Sequence, residues 1–501
     1  MKQIIFKTRY LKDPHLFYQA NCHHSNTIIL ESAEIVDKSG IQSLIGVSCA
    51  VKVKCNNLKV TAEALNKNGS ALITALGEKI GVRTDGILIS VQYQRADGNL
   101  DEETRLKAPG PFDVIRVLRE IIKDCTDMFI SGNIAFDFIN NFENLGEIPD
   151  GINPCSDFCF YFFDVSIRVD HINKDTSVNA YCFSGQQYEK IALAALKLRD
   201  AIECFEQEDT LVLNRGVKPS INPDIDDRHF AEIVSKIREH IVNGDAFQVV
   251  PSRTFSAPCP DPLLAYSYLK KLNPSPYMYY IKDPLFTIFG ASPEFAVRVD
   301  EKTRKVSISP IAGTRARGLN PDGTLDRELD SRIELELRTD TKEVSEHMML
   351  VDLARNDLAR IAKPGTRYVD NLLHVDKYQS VMHLVSDVHA ELRDDLDCFH
   401  AYLACMNMGT LSGAPKIKAH QLIYKYEGKK RGSYGGVVVN LKSDGSFDSC
   451  IAIRSAFVRD GTAYVQAGCG VVYDSNPQAE CQETVNKARS VLSALTMAQE
   501  N

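Results

Sequence analysis

The chain has 501 residues, 44% hydrophobic and 25% charged, which is the balance of a soluble globular protein too long for one ordinary core. Acidic residues outnumber basic ones by 66 to 58, and the resulting net charge of -8 argues against nonspecific binding to nucleic acid. No apolar run approaches the roughly 18 residues that a membrane span needs, and charges interrupt the N-terminus before a signal peptide could form, so we expect a cytoplasmic protein.

A polar stretch at 206–227 separates two regions of the chain, and its two prolines predict a linker. Predicted strands lie at 28–30, 86–91 and 160–163, and predicted helices lie at 114–118, 191–196 and 230–242. Beyond the linker, strands and helices alternate. We therefore predict an α/β (α+β) protein with an N-terminal domain at 1–215 and a second domain at 216–501.

Two predicted helices, at 338–355 and 479–489, each carry a pair of glutamates three residues apart. The pairs are Glu343 with Glu346, and Glu480 with Glu483. Residues at this spacing share a helix face, and either pair alone could be a solvated surface. If the pairs converge, they repel strongly unless a cation lies between them, and carboxylates without His or Cys suit Mg²⁺. Because Mg²⁺ takes most other ligands from water and substrate, the pattern indicates an anionic substrate.

Glycine-containing turns at 409–416, 434–436 and 468–470 could form the other side of such a site. Their backbone N–H groups are open to a ligand because glycine has no Cβ. Arg454, in a predicted strand, could donate a bidentate pair of hydrogen bonds to a carboxylate. The alternative is that these are ordinary turns and a surface arginine. Lys416 follows a proline, and the stretch 409–416 lacks the Gly-Lys-Ser/Thr ending of a phosphate-binding loop. Both features disfavour a nucleotide site.

Nine stretches occur in a fixed order along the chain. They lie at 244–253, 291–294, 310–315, 342–347, 351–358, 409–416, 434–436, 450–454 and 466–472. In this order they resemble the chorismate-utilising enzymes, and most closely the large subunits of anthranilate synthases. The resemblance covers roughly 225–495 and is looser before that, mainly at 30–32. It implies an α/β fold in which two sheets enclose helices, with the active site in a cleft between them.

The resemblance also implies a reaction: ammonia aminates chorismate at ring carbon 2, and loss of pyruvate gives anthranilate. Glu346 and Glu483 are the implied Mg²⁺ ligands, supported by Glu343 and Glu480. Glu294 is the implied general acid, and it needs a raised pKa to protonate the departing 4-hydroxyl. The other implied catalytic and substrate positions are Gly313, Thr314, His383, Thr410, Tyr434, Arg454, Gly468, Gly470 and Lys487.

Two positions distinguish branches of this family. Relatives that add water carry a lysine base where this chain has Gln248, and aminodeoxychorismate synthases often carry a nucleophilic lysine where it has Ala312. Neither residue can perform that chemistry, which favours the anthranilate branch. Two alternatives stay open. One is a synthase that stops at 2-amino-2-deoxyisochorismate, and the other is an inactive tryptophan sensor or scaffold, which should lack at least one implied catalytic or metal residue.

A partner and an inhibitor follow from the same resemblance. No segment resembles a glutamine amidotransferase, so ammonia from glutamine would come from a separate small subunit, and a heterotetramer is the expected assembly. The family's tryptophan feedback site corresponds to Leu30, Ser32, Pro276, Tyr277 and Met278. The alternative for these positions is a strand end and a turn stiffened by proline.

Overall fold

A computed structural model describes residues 1–22, 24–32, 42–206, 209–214, 216, 218–320, 324–378 and 381–500. The strands in these ranges are β1 (Lys2–Thr8), β2 (Thr27–Glu31), β3 (Gln42–Asn56), β4 (Lys59–Ala64), β5 (Leu88–Gln92), β6 (Ile130–Ile134), β7 (Phe158–Asp170), β8 (Asp175–Cys182), β9 (Gln248–Val249), β10 (Ser252–Pro258), β11 (Tyr277–Lys282), β12 (Thr287–Ser292), β13 (Phe295–Asp300), β14 (Lys305–Ile308), β15 (Ile311–Ala316), β16 (Tyr368–Lys377), β17 (Val381–Glu391), β18 (Gly413–Ala414), β19 (Val437–Leu441), β20 (Phe447–Ile451), β21 (Ser455–Arg459) and β22 (Thr462–Gly468).

The α-helices in the same ranges are α1 (Pro14–Asn21), α2 (Lys67–Ile80), α3 (Glu102–Leu106), α4 (Asp113–Ile121), α5 (Tyr188–Glu203), α6 (Asp227–Val242), α7 (Pro262–Leu272), α8 (Arg327–Thr339), α9 (Thr341–Ala359), α10 (Cys398–Cys405), α11 (Lys416–Glu427) and α12 (Pro477–Glu500). Short 3₁₀ segments lie at Phe136–Asn141 and Gly185–Gln187. Within the described ranges, no helix has both the length and the apolar composition that crossing a membrane requires.

The long strands β3 and β7 pair side by side and take different partners along their lengths. The first half of β3 pairs with β2 and its second half with β4, while β7 pairs first with β6 and then with β8. The strand network therefore divides into two sheets that share β3 and β7. Sheet I has the order β5-β4-β3-β7-β6-β19-β20-β13-β14-β17, with β15 and β16 also on β17. Sheet II has the order β1-β8-β7-β3-β2-β11-β12-β21-β22-β10.

The two sheets face each other, and helices cover their outer faces. Tyr161 and Phe163 of sheet I pack against Ile281, Ile288 and Phe457 of sheet II. Sheet I is covered by α2, α4, α9 and α10, and sheet II by α1, α5, α7 and α12. The predicted α/β class is confirmed, but the helices lie outside the sheets instead of between them. The reason is that strands such as β7 are apolar and buried on both faces, so each sheet needs an apolar layer on either side.

Most predicted elements agree with this fold. The predicted strands at 28–30 and 160–163 lie in β2 and β7, and the predicted helices lie in α4, α5 and α6. The strand predicted at 86–91 corresponds to β5, which begins two residues later, at Leu88. Both sheets contain strands from before and after the predicted linker, since β2 pairs with β11 and β6 with β19. The domain boundary stays a prediction, and residue 215 itself lies outside the described residues.

The chain passes between the sheets at two positions that matter for function. Glu294 lies between β12 of sheet II and β13 of sheet I, and Arg454 lies between β20 of sheet I and β21 of sheet II. The glutamates predicted to hold a metal lie on α9, which covers sheet I, and on α12, which covers sheet II. The charges of Glu480 and Glu483 on α12 act on Glu346 of α9, so these two helices approach each other.

Candidate active site

Glu294 is a buried carboxyl group at the crossing from sheet II to sheet I, and the residue is only 7% exposed. The Thr410 hydroxyl donates a hydrogen bond of 3.1 Å to its Oε1. Burial raises the pKa of Glu294 to about 8, against the opposing effects of that hydrogen bond and of the Lys487 charge. Glu294 therefore keeps its proton at neutral pH, which is what an acid catalyst requires.

Thr314 and His383 face each other across the pairing of β15 with β17, and Thr314 Oγ1 lies 2.8 Å from His383 Nδ1. The register shifts at Gly313, whose φ is +82°. A Cβ there would lie 3.0 Å from an oxygen of Glu343, so the position favours glycine. Burial lowers the pKa of His383 to about 4, and the nearby charge of Arg454 adds to this. The imidazole is therefore neutral at physiological pH.

The four glutamates predicted from helix spacing share one electrostatic environment. Burial raises the pKa of Glu346 to about 7, and the negative charges of Glu343, Glu480 and Glu483 raise it further against the opposing charge of Lys342. Burial also raises the pKa of Glu480, followed by the charge of Glu483. The carboxylates of α9 and α12 therefore influence one another, and their role as metal ligands stays a prediction.

Lysine and arginine side chains neutralise part of this negative charge. The ion pairs are Lys342–Glu346 at 3.7 Å, Arg315–Glu343 at 2.7 Å and Lys487–Glu483 at 2.6 Å. Sequence reasoning missed Lys342 and Arg315 in this role, although Lys342 precedes Glu346 by four residues, a spacing that places both on one helix face.

A divalent cation fits this cluster, although among the described residues no three His, Cys, Asp or Glu side chains already surround one point. Glu346 Oε1 and Glu480 Oε2 are buried and have no hydrogen-bond partner. Such oxygens are costly to leave unsatisfied, and Mg²⁺ needs only one or two protein carboxylates besides substrate and water. The donor set is therefore suited to an oxygen-preferring metal that arrives with an anionic ligand.

Arg454 and Lys487 lie close together beside the backbone of Gly468. Arg454 lies between β20 and β21 at a φ of +51°, so the prediction that it belongs to a strand is wrong: the chain turns there to change sheets. Its Nη1 donates to the Lys487 carbonyl at 3.1 Å, and Lys487 Nζ donates to the Gly468 carbonyl at 3.1 Å. A Cβ on Gly468 would lie 3.0 Å from the Tyr434 hydroxyl oxygen, so a larger residue would crowd this hydroxyl.

Gln248 and Gly470 are linked to the same group of residues. Gln248 Nε2 donates to the Gly409 carbonyl at 3.3 Å, which links it to the turn that carries Thr410. The side chain of Gln248 also lies 3.6 Å from the Cβ position of Gly470. The residues predicted as catalytic, metal-binding or substrate-binding are therefore connected to one another through contacts or charges, while their roles stay predictions.

A second cavity, of about 460 Å³, opens between the two sheets. All five residues predicted for a tryptophan site line it: Leu30, Ser32, Pro276, Tyr277 and Met278. The lining also includes Arg298 and Asp448, which are joined by an ion pair of 2.9 Å and were not predicted. The cavity reaches Tyr378, whose ring centroid lies 5.5 Å from that of His383. The second cavity and the active-site cleft are therefore neighbours.

The geometry agrees with comparisons to known proteins. A family model described as chorismate binding enzyme matches residues 81–493. The chain is 46% identical to anthranilate synthase component 1 of Vibrio parahaemolyticus, over 98% of this chain and 92% of the relative. It is 47% identical to the protein of that name from Escherichia coli, over 96% and 94% of the two chains. The crystal structure of anthranilate synthase component I from Streptococcus pneumoniae superposes with a TM-score of 0.70 at 28% identity, covering 92% and 94% of the chains.

Replacing Glu294 with Gln should stabilise the protein at high pH. In the unfolded chain the carboxyl ionises near its ordinary pKa of 4.5, whereas in the folded chain it stays protonated up to about pH 8. The free energy of unfolding of the wild type therefore falls as pH rises between these values. The glutamine side chain of the variant does not ionise, so the variant does not lose this stability. We expect the stability difference between Glu294→Gln and wild type to grow by about 5 kcal/mol from pH 4 to pH 9.

Urea unfolding at several pH values measures this difference. Glu78→Gln, on the exposed face of α2, is the matched control and should follow the wild-type pH dependence. If the stability difference between Glu294→Gln and wild type does not change with pH, Glu294 is already ionised in the folded protein.

Proposed function

The chain belongs to the chorismate-binding enzymes and, within them, to the anthranilate synthase component 1 family, and we propose from this that it converts chorismate and ammonia to anthranilate, pyruvate and water. The observation that carries the proposal is the buried carboxyl group of Glu294, whose pKa is raised to about 8 and which lies near Lys487, a cation paired with Glu483 of the carboxylate cluster. That arrangement suits an anionic substrate from which a hydroxyl group must leave.

Glu294 supplies the proton that the first step needs. Hydroxide is a poor leaving group, so the acid donates its proton to the 4-hydroxyl while ammonia forms a bond to ring carbon 2. The hydroxyl leaves as water. Loss of the proton at carbon 2 and release of the enolpyruvyl side chain as pyruvate then restore the aromatic ring. Thr410, hydrogen-bonded to Glu294, holds the acid in place for the transfer.

The two carboxylates of chorismate would be bound by different groups. Arg454, Tyr434, Lys487 and the backbone of Gly468 and Gly470 would bind the enolpyruvyl carboxylate, because Arg454 and Lys487 supply positive charge. Mg²⁺ held by Glu346 and Glu483, with support from Glu343 and Glu480, would add positive charge for the ring carboxylate. The ring would then lie beside Gly313, Thr314 and Thr410.

His383 and Gln248 favour ammonia as the nucleophile. His383 is neutral at physiological pH, so it contributes a hydrogen-bonding group without adding positive charge near the departing groups. Gln248 cannot remove a proton from water, whereas ammonia attacks without being deprotonated first. These properties support amination over hydration of the ring.

The proposal extends to a partner and an inhibitor. The relatives are named as component 1, and a separate glutamine amidotransferase subunit would be the source of ammonia, in a heterotetramer in the cytoplasm. Tryptophan would bind in the second cavity, whose volume of about 460 Å³ falls within the range of small-molecule sites. An inhibitor bound there would act on the catalytic cleft through the neighbouring Tyr378 and His383.

Product formation from chorismate tests the proposed reaction. The purified chain with chorismate, Mg²⁺ and an ammonium salt should produce anthranilate, read by fluorescence without background from tryptophan because the chain contains none. Chelation with EDTA should stop the reaction, and Glu294→Gln should lower kcat at least 100-fold, on the order of the usual loss for a missing general acid. Glutamine should replace ammonium only when the amidotransferase subunit is added.

Glu78→Gln is again the matched control and should retain wild-type activity. Consumption of chorismate with an aminated, non-aromatic product detected by mass spectrometry would identify the 2-amino-2-deoxyisochorismate synthase instead. No consumption of chorismate would contradict any catalytic role.

Filling the second cavity should relieve inhibition by tryptophan. Asn440 lines the cavity and has no part in the catalytic cleft, so Asn440→Phe should raise the tryptophan concentration needed for half inhibition at least 10-fold, about 1.4 kcal/mol of binding, with little change in kcat. Asn56→Phe, at the exposed end of β3, is the control and should be inhibited like wild type. Unchanged inhibition of Asn440→Phe would place the inhibitor elsewhere.

A further inference from the structure

Arg431 and Glu427 form a buried ion pair beside the proposed active site. Their side chains are almost inaccessible, with residue exposures of 1% and 9%. Arg431 Nε donates to Glu427 Oε2 at 3.0 Å, and Nη2 donates to Oε1. A buried ion pair gains little stability over apolar side chains of the same size, since both charges lose their hydration. Its remaining contacts therefore indicate what it does.

Those remaining contacts reach three backbone positions on two chain segments. Arg431 Nη1 donates to the Leu411 carbonyl at 2.9 Å, and Nη2 donates to the Val250 carbonyl at 2.6 Å. Glu427 Oε1 accepts from the backbone N–H of Ser252 at 2.8 Å and from its hydroxyl at 2.9 Å. One ion pair thus fixes the backbone at all three positions.

Each of these positions adjoins a residue of the proposed site. Leu411 follows Thr410, which bonds to the acid Glu294, and Val250 lies two residues after Gln248. Ser252 is paired with Gly468 in the ladder between β10 and β22.

The guanidinium carbon of Arg431 also lies 5.6 Å from the ring centroid of Tyr434. The ion pair is therefore linked to Thr410 and Glu294 through Leu411. It is linked to Gly468 and Tyr434, proposed to bind the enolpyruvyl carboxylate, through Ser252 and the Arg431 guanidinium.

The ion pair is itself held in place by the first part of the chain. Asp137 accepts hydrogen bonds from the backbone N–H of Arg431 at 3.2 Å and of Gly432 at 2.7 Å. Asp137 also accepts from the Tyr424 hydroxyl at 2.9 Å, which ties the segment to α11. The Arg431 backbone is therefore fixed independently of its side chain.

We propose that the Arg431–Glu427 pair is a positioning element that sets the distance between the Gln248–Thr410 side and the Tyr434–Gly468 side of the active site. This inference rests on the proposed function. Neither side chain touches the reacting atoms. The planar guanidinium of Arg431 donates in several fixed directions, which lysine cannot do.

The test replaces each member of the pair and separates kcat from KM. Arg431→Lys keeps the charge but cannot serve Glu427 and both carbonyls together. We expect kcat for anthranilate formation to fall about 100-fold, the scale of a misplacement of roughly 1 Å, while KM for chorismate changes less than about threefold. Rates are taken per folded molecule, well below the thermal midpoint measured by circular dichroism.

Arg116→Lys is the control, because it removes a comparable arginine–carboxylate ion pair away from the proposed site. Arg116 forms a bidentate ion pair with Asp397, at 2.7 and 3.0 Å, between α4 and α10. This variant should lower the thermal midpoint without changing kcat. If Arg431→Lys also lowers the midpoint while kcat and KM stay at wild-type values, the pair only stabilises the fold and the inference is wrong.

Glu427→Gln decides the question if Arg431→Lys does not fold. This variant keeps the shape and the arginine donors but removes the charge that orients them, and we expect a roughly 10-fold fall in kcat at unchanged KM. Wild-type kcat in Glu427→Gln would overturn the inference. A wild-type chain that forms no anthranilate would instead overturn the proposed function, and the two failures are thereby distinguished.

Discussion

The burial of several carboxyl groups in one cleft is the constraint on which the rest of the site depends. Glu294, Glu346 and Glu480 lie where water is scarce, and burial raises the pKa of each. A buried negative charge is tolerated only beside a cation or as the protonated acid. The carboxylates on α9 and α12 lie beside lysine and arginine side chains, whose positive charge a metal would supplement. Glu294 is instead protonated.

The fold explains how such groups come together. Because β3 and β7 each belong to both sheets, the two sheets are held face to face, with helices on their outer faces. Glu294 and Arg454 occupy segments where the chain changes sheets, and their carbonyls accept hydrogen bonds from the backbone of Ile451 and Ala291. The same packing leaves the second cavity between the sheets, lined by strands of both.

Local sequence patterns predicted one part of this arrangement and missed another. Glutamates three residues apart on two helices indicated a shared face, and the residues of the second cavity came from the family resemblance. The layer order was wrong because a strand that is apolar on both faces does not reveal what covers it. Arg454 was wrongly assigned to a strand, since a short apolar run does not show where a chain turns. Arg431 was missed because its partners, such as Val250 and Leu411, are distant in sequence.

The chemistry proposed for the cleft depends on Glu294 carrying a proton in the folded protein at neutral pH. Infrared difference spectra between wild type and Glu294→Gln, recorded over a range of pH, test this directly because they isolate the carbonyl stretch of this one protonated carboxyl group. We expect the band at neutral pH and its loss with an apparent pKa of about 8. If the difference spectrum shows only an ionised carboxylate at neutral pH, Glu294 is not the proton donor.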